Sequence, residues 1–177
     1  AESNKIEESR CLTPENVEDC EKIEKRLDDI SGVHVRRYYY SESLVEYPKS
    51  VRAVYSEDMP FVKKMVFYVM WGVIQKRMIE FMDLGPDQRL ESREIVLGEL
   101  DWMDELLSDG RQYLVGNKFS RADITAAGLL APISVPNEHP VYEKNKLPPL
   151  MVHDIEAWND RPSIKWVRQI YSQHRLG

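Results

Sequence analysis

The feature that most constrains the fold of this chain is an eleven-residue segment, Leu114–Ile124, with the sequence Leu-Val-Gly-Asn-Lys-Phe-Ser-Arg-Ala-Asp-Ile. Ser120 and Asp123 have the spacing of a capping box, in which each side chain bonds to the other residue's backbone amide at the start of a helix. Phe119 and Ile124 flank the box at the spacing of a hydrophobic staple. We therefore expect all four residues to act structurally, by starting a helix, and to contact no substrate.

The residues on either side of this box extend the same prediction. Gly116 permits the turn that leads into the cap. Residues 124–131 are nearly free of charge and rich in small side chains, which predicts a central helix that is buried all round.

Apolar spacing and helix-ending residues predict that the rest of the chain is helical as well. No sustained strand-like alternation and no internal repeat is found, so the predicted fold class is all-α, a helical bundle around a capped, buried central helix. In the first half, we predict a helix opening at Thr13-Pro14-Glu15, two helical stretches that meet at Gly32, and a loop or short broken helix over 46–59. A long core helix from Pro60 to about Leu84 and a helix over 87–108 follow. After the capped helix, where Pro132 breaks regularity, we predict a loop over 135–149, a short helix with Ile155 and Trp158, and a last helix over 163–174.

Composition limits the classes of function. A chain of 177 residues can bury one core, and we predict a polar leader or linker over 1–12 and one domain over 13–177. The net charge of −6 argues against a nucleic-acid partner. The most apolar run, 65–74, is too short to span a membrane. We expect most of the long helix around it to lie in the core, and some of its apolar side chains to face a partner subunit or an absent domain. Cys11 and Cys20 are predicted to be free thiols, because their spacing on a helix excludes a disulfide between them.

Three segments together resemble the C-terminal helical domain of glutathione transferases. The Leu114–Ile124 segment resembles the N-capping box of that domain. Residues 32–40 contain a Gly-x-x-x-Arg-Arg-x-x-Tyr pattern that is similar to a bacterial-type branch of the family, and the closing run 166–175 is similar to the C-terminal ending of that branch. The resemblance covers about residues 15–175.

The resemblance implies a second, thioredoxin-like domain, which would bind glutathione as co-substrate and carry the residue that activates its thiol. No segment of this chain has the corresponding strands or glutathione-binding motifs, so we expect no catalytic residue here and no turnover by this chain alone. The chain begins with Ala1 and not Met, and we expect either the initiator Met or something longer to have been removed upstream.

Four residues are candidates for contacting a substrate. In the transferase family one wall of the electrophile pocket comes from the first helix of the helical domain, and the matching face here carries Arg36, Arg37, Tyr39 and Tyr40. An arginine could pair with a carboxylate, and a tyrosine could stack or donate a hydrogen bond. The alternative is that the tyrosines pack between helices and the arginines form surface ion pairs. The four histidines are scattered, so a metal site is not expected.

Two functional classes remain open at this stage. The first is a transferase-like helical domain that forms the electrophile-pocket wall and part of a dimer interface, with a thioredoxin-like domain or partner chain. The second is a non-catalytic scaffold or assembly subunit of a larger complex. A small-molecule binding module built on the tyrosines is a third hypothesis. We expect a cytoplasmic location or, if a leader is cleaved, a mitochondrion or plastid.

Overall fold

The computed structural model describes residues 12, 16–139 and 147–175, and all regular secondary structure within these ranges is helical. The prediction of an all-α fold is therefore confirmed. A π-helical turn, Leu27–Ser31, joins the first two helices without a break. The helices are α1 (Val17–Arg26), α2 (Gly32–Glu46), α3 (Pro48–Ser56), α4 (Phe61–Met82), α5 (Pro86–Leu106), α6 (Arg121–Ser134), α7 (Pro149–Trp158) and α8 (Pro162–His174).

Most helix starts follow from local chemistry. Asn16 caps α1 by accepting a hydrogen bond from the Asp19 amide at 3.3 Å. Proline occupies the first position of α3, α5, α7 and α8, where its missing N–H leaves no intrahelical bond unmade. The predicted opening at 13–15 and the leader before Leu12 lie outside the described residues, as does Cys11. The segment 46–59 contains the short helix α3, which was one of its two predicted forms.

Helix α6 supplies the centre of the main core. Ala122, Ala126, Leu130 and Ile133 are at most 2% exposed, and they pack in one cluster with apolar side chains of α1, α2, α5, α7 and α8. The prediction that this helix is buried all round is wrong, because Ile124 is 45% exposed and Gly128 is also exposed.

The end of α6 also differs from its prediction. Pro132 does not end the helix, which continues through it to Ser134. Val135 then ends the helix with a positive φ of 48°. Residues 140–146 of the predicted loop lie outside the described part of the chain.

The irregularity between α1 and α2 is the π-helical turn Leu27–Ser31 and does not involve Gly32 itself. Gly32 has ordinary helical backbone angles. A Cβ atom added to Gly32 would lie 2.8 Å from Leu129 Cδ2 and 3.3 Å from the Leu27 carbonyl oxygen, so glycine allows α2 to approach α6 closely. The turn is also held from outside, because Ser31 Oγ donates a hydrogen bond to Glu99 of α5 at 2.8 Å.

The long helix α4 is present at its predicted place, but the prediction that it lies in the core is wrong. Only Trp71 is buried among its residues. The helix attaches to the rest of the domain through a small second cluster, in which Trp71 packs with Leu44, Val51 and Leu84. A helix that is apolar all round must be covered on every side to be fully buried, and the described part of the chain covers only one side of α4.

Candidate ligand cavity and exposed helix face

A cavity of about 790 Å³ lies where α2, α3 and α4 meet the start of α7. Its most distinctive feature is five tyrosines on its lining, and we call it the tyrosine cavity. Ser43, Ser50, Val51, Ala53, Val54, Ser56 and the segment 147–149 complete most of the wall. The five tyrosines are Tyr39, Tyr40, Tyr47, Tyr55 and Tyr68.

Several of these tyrosines contact one another or a nearby cation. The Tyr39 and Tyr40 rings pack edge to face with their centroids 5.2 Å apart. The hydroxyl groups of Tyr40 and Tyr55 are hydrogen-bonded across the space between α2 and α3. The Arg52 guanidinium carbon lies 4.2 Å from the centre of the Tyr68 ring, which is the geometry of a cation–π contact. These contacts between side chains hold the cavity walls in place, and the tyrosine hydroxyl groups lie close to the cavity.

Two positively charged side chains lie at the Tyr68 end of the cavity. Lys64 is on the lining, and Arg52 lies against Tyr68. A hydrogen bond with Ser56 and the charges of Arg52 and Lys64 together lower the pKa of the Tyr68 hydroxyl. This end of the cavity therefore favours negative charge.

The structure separates the four residues that the sequence predicts to contact a substrate. Tyr39 and Tyr40 line the tyrosine cavity, whereas Arg36 and Arg37 are not part of its wall. Arg36 is exposed on the surface of α2. Arg37 bonds to Asp83, through its carbonyl oxygen at 3.0 Å and through its carboxylate, and also to the Glu91 carboxylate at 2.7 Å. Arg37 thus ties α2 to the α4–α5 connection.

Tyr38 is a central residue that the sequence-based list of site residues omits. Its side chain is fully buried, and its hydroxyl donates a hydrogen bond to Asp154 Oδ2 at 2.8 Å. Arg93 of α5 also binds Asp154, from Nε at 2.7 Å and from Nη2 at 2.9 Å. Burial raises the pKa of the Tyr38 hydroxyl above its ordinary value, and the bond to Asp154 adds to that effect.

Asp154 remains a carboxylate acceptor despite its burial. Burial acts to raise its pKa, but the hydrogen bonds from Arg93 and Tyr38 outweigh burial and hold the pKa below its ordinary value. The buried Glu42 shows the opposite balance. Burial raises the pKa of Glu42 more than Arg89, whose Nε lies 3.4 Å from Glu42 Oε2, lowers it.

The capping-box residues form a buried hydrogen-bond network at the start of α6. Asp123 Oδ2 accepts hydrogen bonds from the Ser120 amide at 2.7 Å and from Ser120 Oγ at 2.8 Å. Asp123 Oδ1 accepts a third bond from the Leu114 amide at 2.8 Å, so the carboxylate also holds the preceding loop. Gly116 takes a positive φ of 66° in that loop. The Phe119 ring stacks on His174 of α8, with ring centroids 3.8 Å apart, and half-exposed Ile124 lies on the outer side.

The outer side of α4 is a large apolar surface. Seven apolar side chains on it are exposed by more than half, and we call this surface the α4 face. Val69 is 82% exposed and Phe81 92% exposed, values that are unusual for residues of this type. The full set is Phe61, Val62, Met65, Val66, Val69, Val73 and Phe81.

Other chemical features are limited in the described part of the chain. It contains no group of three or more histidine, cysteine, aspartate or glutamate side chains that could hold a metal ion. Cys20 is a free thiol that is fully buried in the core. None of the helices described here is both long enough and apolar enough to cross a lipid bilayer.

Together, the helical bundle and its capped central helix define an all-helical domain with a lateral cavity. Residues 68–151 match the family described as glutathione S-transferase, C-terminal domain. The matched residues make up a little under half of the chain, and the match, like the all-helical fold, is consistent with the predicted resemblance to the glutathione S-transferase C-terminal domain. Comparison with curated proteins and with solved structures gives no match.

Proposed function

We propose that this chain is the helical domain of a glutathione transferase-like protein, and that the tyrosine cavity is its wall of the pocket for the second, electrophilic substrate. The observation that carries this proposal is the cavity itself, with Tyr39 and Tyr40 of α2 on its lining in a domain of this family. Glutathione is the co-substrate, and a thioredoxin-like domain or partner chain supplies the group that activates its thiol.

The proposal leaves thiol chemistry to another domain. Cys20, the one cysteine of the described segments, is fully buried and cannot meet a substrate. The α4 face is the surface that forms part of a homodimer interface in this proposal. We place the protein in the cytoplasm or, if a leader is cleaved, in a mitochondrion or plastid. We also propose that the protein belongs to the bacterial-type branch of the family, on the basis of the pattern in residues 32–40 and the closing run 166–175.

The test begins with the mass of the polypeptide isolated from its native source. A mass well above 20.8 kDa, by about the 100 residues of a further domain, agrees with the proposal. That polypeptide, expressed whole, is then assayed for conjugation of glutathione to an aromatic electrophile. Substitution of Tyr40 by alanine should raise KM for the electrophile and leave KM for glutathione unchanged. Absence of conjugation by the whole polypeptide would refute the proposal.

A second candidate function rests on the α4 face. An exposed apolar surface of this size is typical of protein–protein contact sites, and a scaffold or assembly subunit of a larger complex would use it without any catalysis. In that case the native protein should have a mass of 20.8 kDa, should not bind glutathione resin, and should copurify with stoichiometric partners. Retention on the resin would count against the scaffold.

A further inference from the structure

We infer that the tyrosine cavity selects planar aromatic acids, with the ring held among the tyrosines and the anionic group held at Lys64. This inference deepens the proposed function, and it rests on that proposal for the role of the cavity. The binding itself requires only residues of this chain.

The walls of the cavity favour a flat aromatic ligand. Tyr39 and Tyr40 already pack edge to face, and Tyr55 and Tyr68 present further rings from α3 and α4. Tyrosine rings bind aromatic partners by offset stacking or by edge-to-face contact, and their hydroxyl groups add hydrogen bonds at the rim. A volume of about 790 Å³ falls within the range of small-molecule sites and accommodates one or two fused rings.

The charges at one end of the cavity favour an anionic substituent. Lys64 forms no ion pair with any residue that the structure describes, so its ammonium group is available to a ligand. Arg52 adds a second positive charge beside Tyr68, and its Nε is buried without a hydrogen-bond partner. Glu57 is the acidic residue on the lining, and it is exposed. The positive charges thus lie against the aromatic wall, where a carboxylate attached to a stacked ring would reach them.

The position of Tyr68 supports the same arrangement. Its ring lies under the Arg52 guanidinium, and the charges of Arg52 and Lys64 act on its hydroxyl. Tyr68 is therefore part of the aromatic wall and also lies beside the two positive charges. A ligand with a ring and an acid on adjacent positions would contact both features at once.

The experiment compares three naphthalene probes of nearly equal size by isothermal titration calorimetry on this chain without glutathione. The probes are naphthoate, the neutral naphthamide and the cationic naphthylmethylamine. We expect naphthoate to bind about fivefold or more tightly than naphthamide, and naphthylmethylamine to bind most weakly, because a single charge contact at a half-exposed site changes affinity on this scale.

Two lysine variants assign the preference to the cavity. Lys64→Gln should bring naphthoate and naphthamide to equal affinity, whereas the matched variant Lys63→Gln, at an exposed neighbouring position outside the cavity wall, should keep the preference. Tyr55→Leu should weaken both probes equally, because it removes a ring but no charge.

The inference is overturned if naphthoate and naphthamide bind the original chain equally, if none of the probes binds, or if Lys63→Gln removes the preference as fully as Lys64→Gln. These outcomes differ from failure of the proposed function. That failure would be seen as an absence of glutathione conjugation by the whole polypeptide, whichever probe this chain binds.

Discussion

Tyr38 donates a hydrogen bond to Asp154 across 2.8 Å, and this buried contact fixes the rotation of α2 against α7. The Tyr38 ring also packs against Trp158 of α7, with centroids 6.0 Å apart. Because successive helical residues point about 100° apart, an inward Tyr38 directs Tyr39 and Tyr40 toward other sides of the helix. The placement of Tyr39 and Tyr40 on the cavity lining therefore depends on Tyr38, which is not part of that lining.

Replacing Tyr38 by phenylalanine should lower the free energy of unfolding by about 1–3 kcal/mol, because a buried carboxylate loses one of its donors. Urea denaturation followed by circular dichroism measures the change. Tyr113→Phe is the matched control, since the Tyr113 hydroxyl contacts His174 at the exposed surface, and its effect should stay within about 0.5 kcal/mol. Equal losses in the two variants would contradict a special role for the Tyr38–Asp154 bond.

The same pair predicts a dependence of stability on pH. The pKa of Asp154 is lowered in the folded protein, so the unfolded chain binds its proton first as pH falls. The stability that Asp154 contributes is complete above the unfolded pKa of about 4 and is lost as pH falls through the lower folded pKa. The difference in unfolding free energy between the original chain and Asp154→Asn should therefore shrink as pH falls through and below about 4.

The comparison of the original chain with Asp154→Asn is needed because other buried acids change the pH dependence of stability in the opposite direction. Burial raises the pKa of Glu42 and of Asp123, so protonation of these two groups favours the folded state. Their effects are common to both proteins and cancel in the comparison. A difference that stays constant, or that grows as pH falls, would show that Asp154 is not held ionised by Arg93 and Tyr38.

Replacing Asp123 by alanine should lower the free energy of unfolding by about 2–4 kcal/mol, because the buried amides of Leu114 and Ser120 lose their acceptor. Thermal and urea denaturation measure the loss. Asp87→Ala is the control, since Asp87 also lies in the first turn of a helix but is exposed, and its cost should stay below about 0.5 kcal/mol. A small cost at both positions would show that the capping box does not hold the loop to α6.

Replacement by alanine should change the stability of the protein differently at two glycines. A Cβ added to Gly98, in the exposed interior of α5, meets nothing within 4 Å, so Gly98→Ala should stabilise the chain by about 0.5–1 kcal/mol through helix propensity. Gly32→Ala should lose this gain, because its methyl group would press on Leu129 and approach the Leu27 carbonyl oxygen. Differential scanning calorimetry of both variants tests the close approach of α2 to α6, and an equal rise in Tm would argue against it.

Local chemistry in the sequence predicted the elements of this fold well. The Ser120–Asp123 box and the turn at Gly116 each depend on residues a few positions apart, and the structure has both at the predicted places. Such signals act within one helical turn and do not require knowledge of neighbours.

The sequence could not predict which neighbouring element each side of a helix contacts. The sequence-based prediction places Arg37 and Tyr39 on one face, but residues two positions apart on a helix point about 200° apart. Accordingly, Arg37 contacts Asp83 while Tyr39 lines the cavity. The π-helical turn before α2 shifts the helical phase of α2 relative to α1, and no residue in Leu27–Ser31 signals that shift. Pairing of Tyr38 with Asp154 spans 116 residues of chain, beyond any local pattern.

The exposure of α4 is the largest departure, and it has a physical cause. A helix that is apolar all round has the same sequence pattern whether the side that faces away from its own domain is covered by its own chain or by another molecule. Trp71 meets the domain, whereas Val69, two positions earlier, is 82% exposed. The sequence alone cannot distinguish the two sides, because both are equally apolar.

The α4 face leads to the last prediction, which concerns association rather than folding. Replacing Val69 and Phe81 together by glutamate should change the free energy of unfolding of the single chain by no more than about 0.5 kcal/mol per site, since both side chains are almost fully exposed. The same change should abolish self-association, because it places two negative charges in the centre and at the end of an apolar contact surface. Sedimentation equilibrium over a range of protein concentrations measures the association.

The control for this prediction is Leu90→Glu, which puts one glutamate at a half-exposed leucine of α5, outside the α4 face. It should leave self-association unchanged, so that a loss confined to the Val69/Phe81 variant assigns the dimer contact to α4. If the original chain is monomeric at every concentration, a homodimer through this face is excluded. In that case the apolar side chains of α4 are left to a different partner, either a thioredoxin-like domain or a subunit of a larger complex.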